Sequence, residues 1–159
     1  MSTPMLEVEG LEAWYGEAKI LFGLSLAVAP GEAVALVGRN GAGKSTTLKA
    51  VMGLARRRAR RLVFHGTDIA ALPTYAVARL GVGYVPEDRR IFTELTVAEN
   101  LDLGRRTVRP GDGSLVGPDW PREAIFSLFP NLAALRDRLG GQMSGGEQQM
   151  LAVARALVG

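Results

Sequence analysis

One glycine-rich segment, GRNGAGKST at residues 38–46, constrains this chain more than any other feature. It fits the pattern G-x-x-x-x-G-K-[S/T], in which the glycines let the backbone curl until several N–H groups point at one anion. The apolar run EAVALVG at residues 32–38 precedes it, and a helical pattern follows at residues 44–52. A helix start adds roughly half a positive charge at the same place. The segment therefore predicts a buried strand, a phosphate-binding loop and a helix, in that order.

The residues of this loop have the chemistry of a nucleotide site. Lys44 can reach the β- and γ-phosphates, and the hydroxyl of Ser45 can bind Mg²⁺. A glycine-rich turn without this function would not need a lysine followed by a hydroxyl at this register. We predict that the nucleotide contacts Gly38, Arg39, Asn40, Gly41, Ala42, Gly43, Lys44, Ser45 and Thr46.

The periodicity of apolar residues divides the chain into a β-rich part and a helical part. Alternation and short apolar runs predict strands at residues 6–10, 24–28, 32–38, 62–66 and 82–85. Helical patterns predict helices at residues 44–52, 74–80, 121–129 and 132–138. Thr96 and Glu99 have the spacing of a capping box, so another helix is expected from Val97. The Gly/Pro-rich residues 109–119 are expected to form a loop.

This pattern predicts a domain boundary near residue 87. Residues 1–87 would hold a β subdomain and the phosphate-loop part of an α/β core. Residues 88–159 would hold a helical subdomain.

Composition and charge exclude several classes of function. The chain has no cysteine, which excludes disulfides and thiolate metal sites, and no apolar stretch of about 18 residues that could span a membrane. The N-terminus lacks a basic region followed by an apolar run, so we expect no secretion signal. The single histidine, His65, is interpreted as structural or exposed.

One dense basic run, RRRARR at residues 56–61, stands out from an otherwise even charge balance. Such a run could contact nucleic acid or anionic lipid headgroups. No aromatic residue is interleaved with it to stack on bases, which argues against nucleic acid. We interpret the run as a solvated loop between two elements, and we expect no nucleic-acid partner.

A second anion-binding feature lies at MSGGEQQMLAVARAL, which begins at Met143. Ser144 and Glu147 have the spacing of a capping box, and Gly145 and Gly146 leave the first-turn N–H groups uncovered by side chains. The helix is expected to pack through an apolar stripe at Met150, Val153, Ala154, Leu157 and Val158. Capping and packing do not require two exposed glycines, so this helix start is predicted to touch an anion.

These motifs together resemble those of the ABC ATPases. The segment from Met143 is similar to the family's LSGGQ-type signature, with methionine in place of leucine and Glu147 in place of glutamine. WYG at residues 14–16 resembles the A-loop, in which Tyr15 would stack on the adenine ring. GYVPEDRRIFTELTVAENL at residues 83–101 resembles the Q-loop and the start of the helical subdomain. Glu87 followed by RRIF is most similar to the ATP-binding subunits of branched-chain amino-acid importers.

The resemblance implies an α/β fold of the P-loop NTPase class, an ABC-type nucleotide-binding domain with an N-terminal antiparallel β subdomain and a helical subdomain. It implies a transport-coupled ATPase with ATP and Mg²⁺ as cofactors. The partners would be a second ABC ATPase subunit in a head-to-tail dimer and integral membrane permease subunits. The expected location is the cytoplasm, on the inner face of the plasma membrane. Residues implied to contact the γ-phosphate of ATP held by the partner subunit are Ser144, Gly145, Gly146 and Glu147.

The expected cargo is a branched-chain amino acid, and three alternatives stay open. One is an importer of urea or short amides, since substrate choice lies with other subunits. Another is an ABC ATPase that acts on nucleic acid or ribosomes. The last is a non-catalytic module that competes with the full-length subunit for its permease.

The sequence departs from the family pattern at two positions and lacks one motif. Glu87 stands where most ABC ATPases have glutamine, and its carboxylate can approach Mg²⁺ directly or through water, so Ser45 and Glu87 are the predicted metal contacts. Arg60 stands where the family has a turn glycine. No apolar run ends in Asp-Glu, the acidic pair that the family uses for hydrolysis. We therefore expect these residues to lack the C-terminal part of the core and to bind ATP without turnover.

Overall fold

A computed structural model describes residues 3–105 and 120–158 of the chain. The backbone falls into two compact units, Met1–Val82 and Gly83–Gly159. The loop predicted at residues 109–119 lies outside the described residues.

The first unit is built on an antiparallel sheet. Its longest strands, β1 (Leu6–Tyr15) and β2 (Ala18–Val28), form a hairpin in a register that runs from Leu6 opposite Val28 to Tyr15 opposite Ala18. The other strands are β3 (Arg56–Arg58), β4 (Arg61–Phe64) and β5 (Thr67–Asp68), arranged with β3 and β4 beside β1 and β5 beside β4. The strands predicted at residues 6–10 and 24–28 are confirmed. The strand predicted at residues 62–66 is confirmed with an end at Phe64.

Two helices accompany this sheet, α1 (Lys44–Val51) and α2 (Thr74–Arg79), and both were predicted. Alternation places one face of β1 in the interior, where Val8, Leu11 and Ala13 are almost completely buried. Burial of one such side chain contributes on the order of 1.5–3 kcal/mol. This packing fixes the hairpin, and the segment that leads into α1 follows directly from β2.

The strands predicted at residues 32–38 and 82–85 are wrong. Neither segment has a ladder partner among the described residues, and the side chains of Val34 and Val37 are 45% and 89% exposed. A buried parallel strand needs neighbours on both edges and cover on both faces. The apolar run at residues 32–38 therefore has no regular secondary structure, since none of the described strands pairs with it.

The interpretation of residues 56–61 as a solvated loop is also wrong. This run forms β3 and the start of β4, and the guanidinium of Arg57 turns inward. It donates to the carbonyls of Ala50 and Val51 at the end of α1, at 2.5 and 2.7 Å. Three further acceptors are the carbonyls of Ile69, Ala70 and Leu72. Burial lowers the pKa of Arg57, and a cation here complements the negative end of the α1 dipole.

The second unit is helical. Its elements are α3 (Val97–Gly104), α4 (Arg122–Leu128), α5 (Pro130–Ala134), a single 3₁₀ turn (Gly140–Gln142) and α6 (Gly145–Leu157). The helix predicted at 132–138 begins two residues earlier, because Pro130 suits the first turn of a helix, and it ends four residues earlier, at Ala134. The core joins these helices through Val97, Leu101, Ile125, Leu132, Met143, Leu151, Ala154 and Val158.

The apolar stripe predicted on α6 is partly wrong. Val153 and Leu157 are 36% and 38% exposed, whereas Leu151 is fully buried beside Ala154. The buried face is thus rotated from the predicted one. Several small and apolar residues in this helix make more than one stripe possible, and packing against α3 selects among them.

Candidate functional site

The predicted phosphate loop lies in the first unit, between β2 and α1. Gly41 and Gly43 have φ angles of +80° and +88°, which an L side chain rarely adopts. A Cβ on Gly43 would also lie only 2.7 Å from Cδ2 of Leu21. Conformation and packing both require glycine at position 43, so this residue fixes the point where loop becomes helix.

The start of α1 has no side-chain cap. Gly43 is the N-cap, and no side chain caps the helix. The hydroxyl of Thr47 donates to the Gly43 carbonyl at 2.9 Å, so it does not turn back to the first N–H groups. A helix start without a side-chain cap and the positive end of the helix dipole together attract an anion.

Lys44 lies across the loop. Its Nζ donates to the carbonyls of Gly38 and Arg39 at 2.8 and 2.9 Å. An ammonium carries three donors, so one remains for a ligand after these two bonds. The loop thus presents a cation beside a helix start that no side chain caps, an arrangement that suits a phosphate chain.

The other residues predicted for this site have different degrees of exposure. Ser45 is half-buried and Thr46 is buried, while the exposed members are Arg39, Asn40, Gly41 and Ala42. Tyr15 ends β1 with 45% of its surface exposed, and Nζ of Lys49 on α1 lies 6.0 Å from its ring centroid. The structure therefore holds Tyr15 and the phosphate loop in one unit, with ring surface available for stacking.

Magnesium would need ligands beyond the protein. In residues 3–105 and 120–158, no group of three or more histidine, cysteine, aspartate or glutamate side chains is arranged to hold a metal. Mg²⁺ is usually held by one or two protein oxygens, several waters and the phosphates of the substrate. The Ser45 hydroxyl fits that pattern. Glu87, the other predicted ligand, is exposed and belongs to the second unit.

The predicted signature helix, α6, begins in the second unit with the capping box that the sequence indicated. The amide of Ser144 donates to Oε2 of Glu147 at 2.7 Å, and the Glu147 amide donates to Oγ of Ser144 at 3.4 Å. The bond from the Ser144 amide, followed by that from its hydroxyl, holds the pKa of Glu147 below its ordinary value of 4.5. Glu147 is therefore ionised at neutral pH and stabilises the helix start.

The two glycines of this helix start have different surroundings. Gly146 faces open space, with no atom within 4 Å of where a Cβ would lie. A Cβ on Gly145 would approach the guanidinium of Arg89 to 3.2 Å. That guanidinium donates to Oε1 of Gln148, and Nε2 of Gln148 donates to the Gly140 carbonyl at 3.1 Å. Arg89 thus brings a positive charge to the helix start.

Two arginines that the sequence did not predict as functional, Arg89 and Arg155, connect the segment after Glu87 to α6. Arg89 and Arg90 have φ angles of +60° and +49°, values that a sequence pattern does not reveal. Arg155 donates to the Arg90 carbonyl at 2.5 Å, and its guanidinium lies 5.1 Å from the centroid of Phe92. The pair of arginines in EDRRIF was the only sequence signal for these contacts, and it served only to indicate the family resemblance.

The comparisons with known proteins identify the family. The sequence model described as ABC transporter matches residues 21–159. The chain belongs to the ABC transporter family. None of the described helices is long and apolar enough to cross a membrane.

Several curated ABC proteins match almost the whole chain. The high-affinity branched-chain amino acid transport ATP-binding protein BraG of Pseudomonas aeruginosa is 37% identical over 97% of this chain and 64% of its own length. The probable branched-chain amino acid transport ATP-binding protein LivF of Archaeoglobus fulgidus is 40% identical over 97% and 63%. The lipopolysaccharide export system ATP-binding protein LptB of Haemophilus influenzae is 39% identical over 96% and 62%. The chain thus spans less than two thirds of the length of these relatives.

Solved structures show the same fold. An ATP-binding subunit of an ABC transporter has a TM-score of 0.75 and 29% identity, over 97% of this chain and 62% of that one. An ATP-binding cassette of an ABC transporter has a TM-score of 0.71 and 28% identity, over 99% and 66%. A bacterial Atm1-family ABC exporter with ATP bound has a TM-score of 0.73 and 29% identity, over 98% and 27%. The antiparallel sheet and the helices of this chain are therefore those of an ABC ATPase.

Proposed function

We propose that the first unit binds ATP through the phosphate loop and Tyr15. The observation that carries this proposal is the start of α1, where no side chain caps the helix and Nζ of Lys44 lies across the loop on the carbonyls of Gly38 and Arg39. Lys44 would exchange its bonds to the Gly38 and Arg39 carbonyls for bonds to phosphate oxygens, which are stronger because both partners are charged. Tyr15 would stack on the base, and Ser45 and Glu87 would contact Mg²⁺, which supplies charge neutralisation at the phosphates.

The start of α6 is proposed to contact ATP that a partner subunit holds. Ser144 and Glu147 already satisfy each other, so this helix start does not need its own ligand to be stable. Gly146 is open to a phosphate that approaches from outside, and Arg89 adds charge beside Gly145. Such a surface suits a head-to-tail dimer in which one subunit's loop faces the signature of the other, with the exposed members Ser144, Gly145 and Gly146 at the contact.

The whole protein is proposed to be the ATP-binding subunit of an importer for branched-chain amino acids, docked on a permease at the inner face of the plasma membrane. The two relatives named for that transport and the residues from Glu87 to Phe92 support this choice. The LptB relative favours a second candidate, a subunit of a lipopolysaccharide export system. An importer of urea or amides stays a further alternative.

The 159 residues are proposed to bind ATP without appreciable turnover. Hydrolysis in this class of enzyme needs an acidic residue for Mg²⁺ and a group that orients the attacking water. The sequence has no apolar run that ends in Asp-Glu to supply them. Glu87, the predicted metal contact, is an exposed carboxylate in the second unit.

Nucleotide binding is tested by titrating a fluorescent ATP analogue into the chain and into Lys44→Ala. We expect the variant to bind roughly tenfold to a hundredfold more weakly, because charge-assisted bonds to phosphate are lost. Arg122→Ala is the control, since Arg122 is a cation of the second unit that pairs with Asp102, and its loss should leave affinity unchanged. Equal affinity of Lys44→Ala and the parent chain would contradict the proposal.

Cargo is tested with the whole protein in bacterial strains that lack their own ATP-binding subunit. We expect restored uptake of labelled leucine in a strain deficient in branched-chain import. No restored growth is expected in a strain deficient in lipopolysaccharide export. The reverse result would favour the second candidate, and restored urea uptake would favour the third.

A further inference from the structure

A groove on the first unit lies away from the residues of the phosphate loop. It has a volume of about 470 Å³ and is lined by Gly10, Glu12, Gly23, Arg58, Ala59 and Arg60. Protein sites for small ligands usually measure roughly 300–1,000 Å³. The groove is therefore large enough for a small ligand or for the headgroup of a larger one.

Two glycines make the groove possible. The pairing of β1 with β2 is irregular between Val8 and Leu11, and Gly10 has a φ angle of +62° there. A Cβ on Gly10 would lie 2.9 Å from Nε of Arg60, so glycine lets the arginine side chain pass close to the strand. Gly23, with a φ angle of +107°, leaves the facing part of β2 without a side chain.

The arginines of residues 56–61 have different roles, and two of them are available for a ligand. Arg57 is used inside the fold, and Arg61 pairs with Glu7 at 2.5 Å. Within the described residues, the side chains of Arg58 and Arg60 form no hydrogen bond or ion pair, and both line the groove.

The remaining charge in the groove does not cancel these two cations. Glu12 lies opposite Arg58 in the sheet register, but its carboxylate is bound by Nζ of Lys19 at 2.5 Å. That bond, with a smaller contribution from the charge of Arg58, holds the pKa of Glu12 below its ordinary value. The residues that line the groove therefore carry one net positive charge, from Arg58 and Arg60 against Glu12, and Lys19 beside Glu12 adds a second.

We propose that this groove binds a phosphate group through Arg58 and Arg60, separately from the nucleotide site. Guanidinium groups match phosphate oxygens in bidentate geometry better than an ammonium does, and two of them match the charge of a phosphate monoester. The phosphate could belong to a free solute or to a phospholipid headgroup. The basic run would then be a ligand site rather than a general surface charge.

The test uses the full 159-residue chain carrying Lys44→Ala, which weakens anion binding at the phosphate loop. Inorganic phosphate is titrated and followed by ³¹P NMR, and sedimentation is measured with phosphatidylcholine vesicles with and without phosphatidylglycerol. We expect binding to at least one anionic probe, weakened about tenfold in Arg58→Gln/Arg60→Gln. The matched control is Arg56→Gln/Arg61→Gln, which removes the same charge from the same run outside the groove and should change affinity by about twofold or less.

A second variant fills the groove without removing charge. Ala59→Phe should weaken binding as much as the loss of both arginines, provided that its thermal melt matches that of the parent chain. Binding of phosphate alone supports a free solute, and binding of anionic vesicles alone supports a lipid headgroup. Equal losses of affinity in Arg58→Gln/Arg60→Gln and in the control Arg56→Gln/Arg61→Gln would overturn the proposal, because they would indicate non-specific electrostatic attraction to the whole basic run. Absence of binding to both probes would also overturn it.

Discussion

The starts of α1 and α6 are both helix N-termini with glycines, yet they handle their backbone donors in opposite ways. At α1 the N-cap is Gly43, and no side chain covers the first N–H groups. At α6 the N-cap is Ser144, and a capping box with Glu147 satisfies the backbone N–H groups of these two residues within the chain. An uncapped helix start lowers stability by about 1 kcal/mol relative to a capped one. The helices α2, α4 and α5 also start without a side-chain cap, but at the phosphate loop a bound anion can take the place of the cap.

This difference in capping indicates which of the two helix starts depends on a bound ligand for its stability. The α1 start is held open by backbone geometry, since Gly43 is both left-handed and packed against Leu21. The α6 start is complete by itself and keeps Gly146 open on the outside. We infer that α1 needs its nucleotide more than α6 does, and the following predictions test that contrast from the largest expected effect to the smallest.

The same glycine-to-alanine change should have opposite effects at the two helix starts. Gly43→Ala forces a side chain into a left-handed conformation and against Leu21, so we expect a loss of about 3 kcal/mol in the free energy of unfolding. Gly146→Ala enters open space, so we expect a gain of about 0.5 kcal/mol from helix propensity. Urea denaturation of both variants measures the two effects. A similar loss in both would remove the contrast.

The second prediction concerns the other end of α1, where Arg57 binds the last carbonyls. Arg57→Met keeps the apolar stem but removes the bonds to the carbonyls of Ala50 and Val51, and we expect a loss of about 2–3 kcal/mol in unfolding free energy. Arg56→Met is the control, because the Arg56 guanidinium lies over the Trp14 ring and is exposed. Equal unfolding midpoints for the two variants would show that Arg57 does not secure α1.

The third prediction concerns the capping residue Ser144, since α6 has a side-chain cap and α1 has none. Ser144→Ala should destabilise the second unit by about 1 kcal/mol, since the acceptor for the Glu147 amide is lost. Ser144→Asp keeps an acceptor and should restore most of the stability. Hydrogen exchange of the first-turn amides of α6 reports the change locally. Unchanged protection in Ser144→Ala would mean that the capping box contributes nothing.

The smallest expected effect is the dependence of the stability of the second unit on pH. The folded pKa of Glu147 lies below its ordinary value of 4.5, so its contribution to stability is full above pH 4.5 and is lost as pH falls through the folded pKa. Glu99, capped by Thr96 on α3, is shifted in the same direction for the same reason. We expect acid unfolding of the second unit to shift in Glu147→Gln, measured by circular dichroism against pH. An unchanged acid profile would contradict the assigned role of Glu147.

Much of this fold can be predicted from sequence, and the rest fails for identifiable reasons. Capping boxes and the phosphate loop depend on residues within a few positions of each other, so Ser144 with Glu147 and the segment up to Lys44 could be identified from local pattern. The run at residues 32–38 looks like a strand, but a strand forms only beside another strand. Local pattern carries no information about whether that neighbour exists.

Side-chain direction was the second source of error. A run of arginines resembles a solvated loop, yet Arg57 finds carbonyls contributed by α1 and by the segment after β5. Nothing in the order of the residues distinguishes Arg57 from Arg58, since only the alternation of β3 turns one inward and the other outward. The left-handed backbone conformations of Arg89 and Arg90 also could not be predicted from the sequence.

The central claim is that α1 binds the chain's own nucleotide and α6 serves a nucleotide on a partner. Equilibrium titration of ATP into the isolated chain at low protein concentration tests it most directly, with Gly146→Asp compared to the parent. Gly146→Asp places a negative charge at the exposed start of α6, in the second unit. We predict that Gly146→Asp binds ATP with the affinity of the parent. A loss of affinity as large as that of Lys44→Ala would show that α6 completes the chain's own site and would contradict the account.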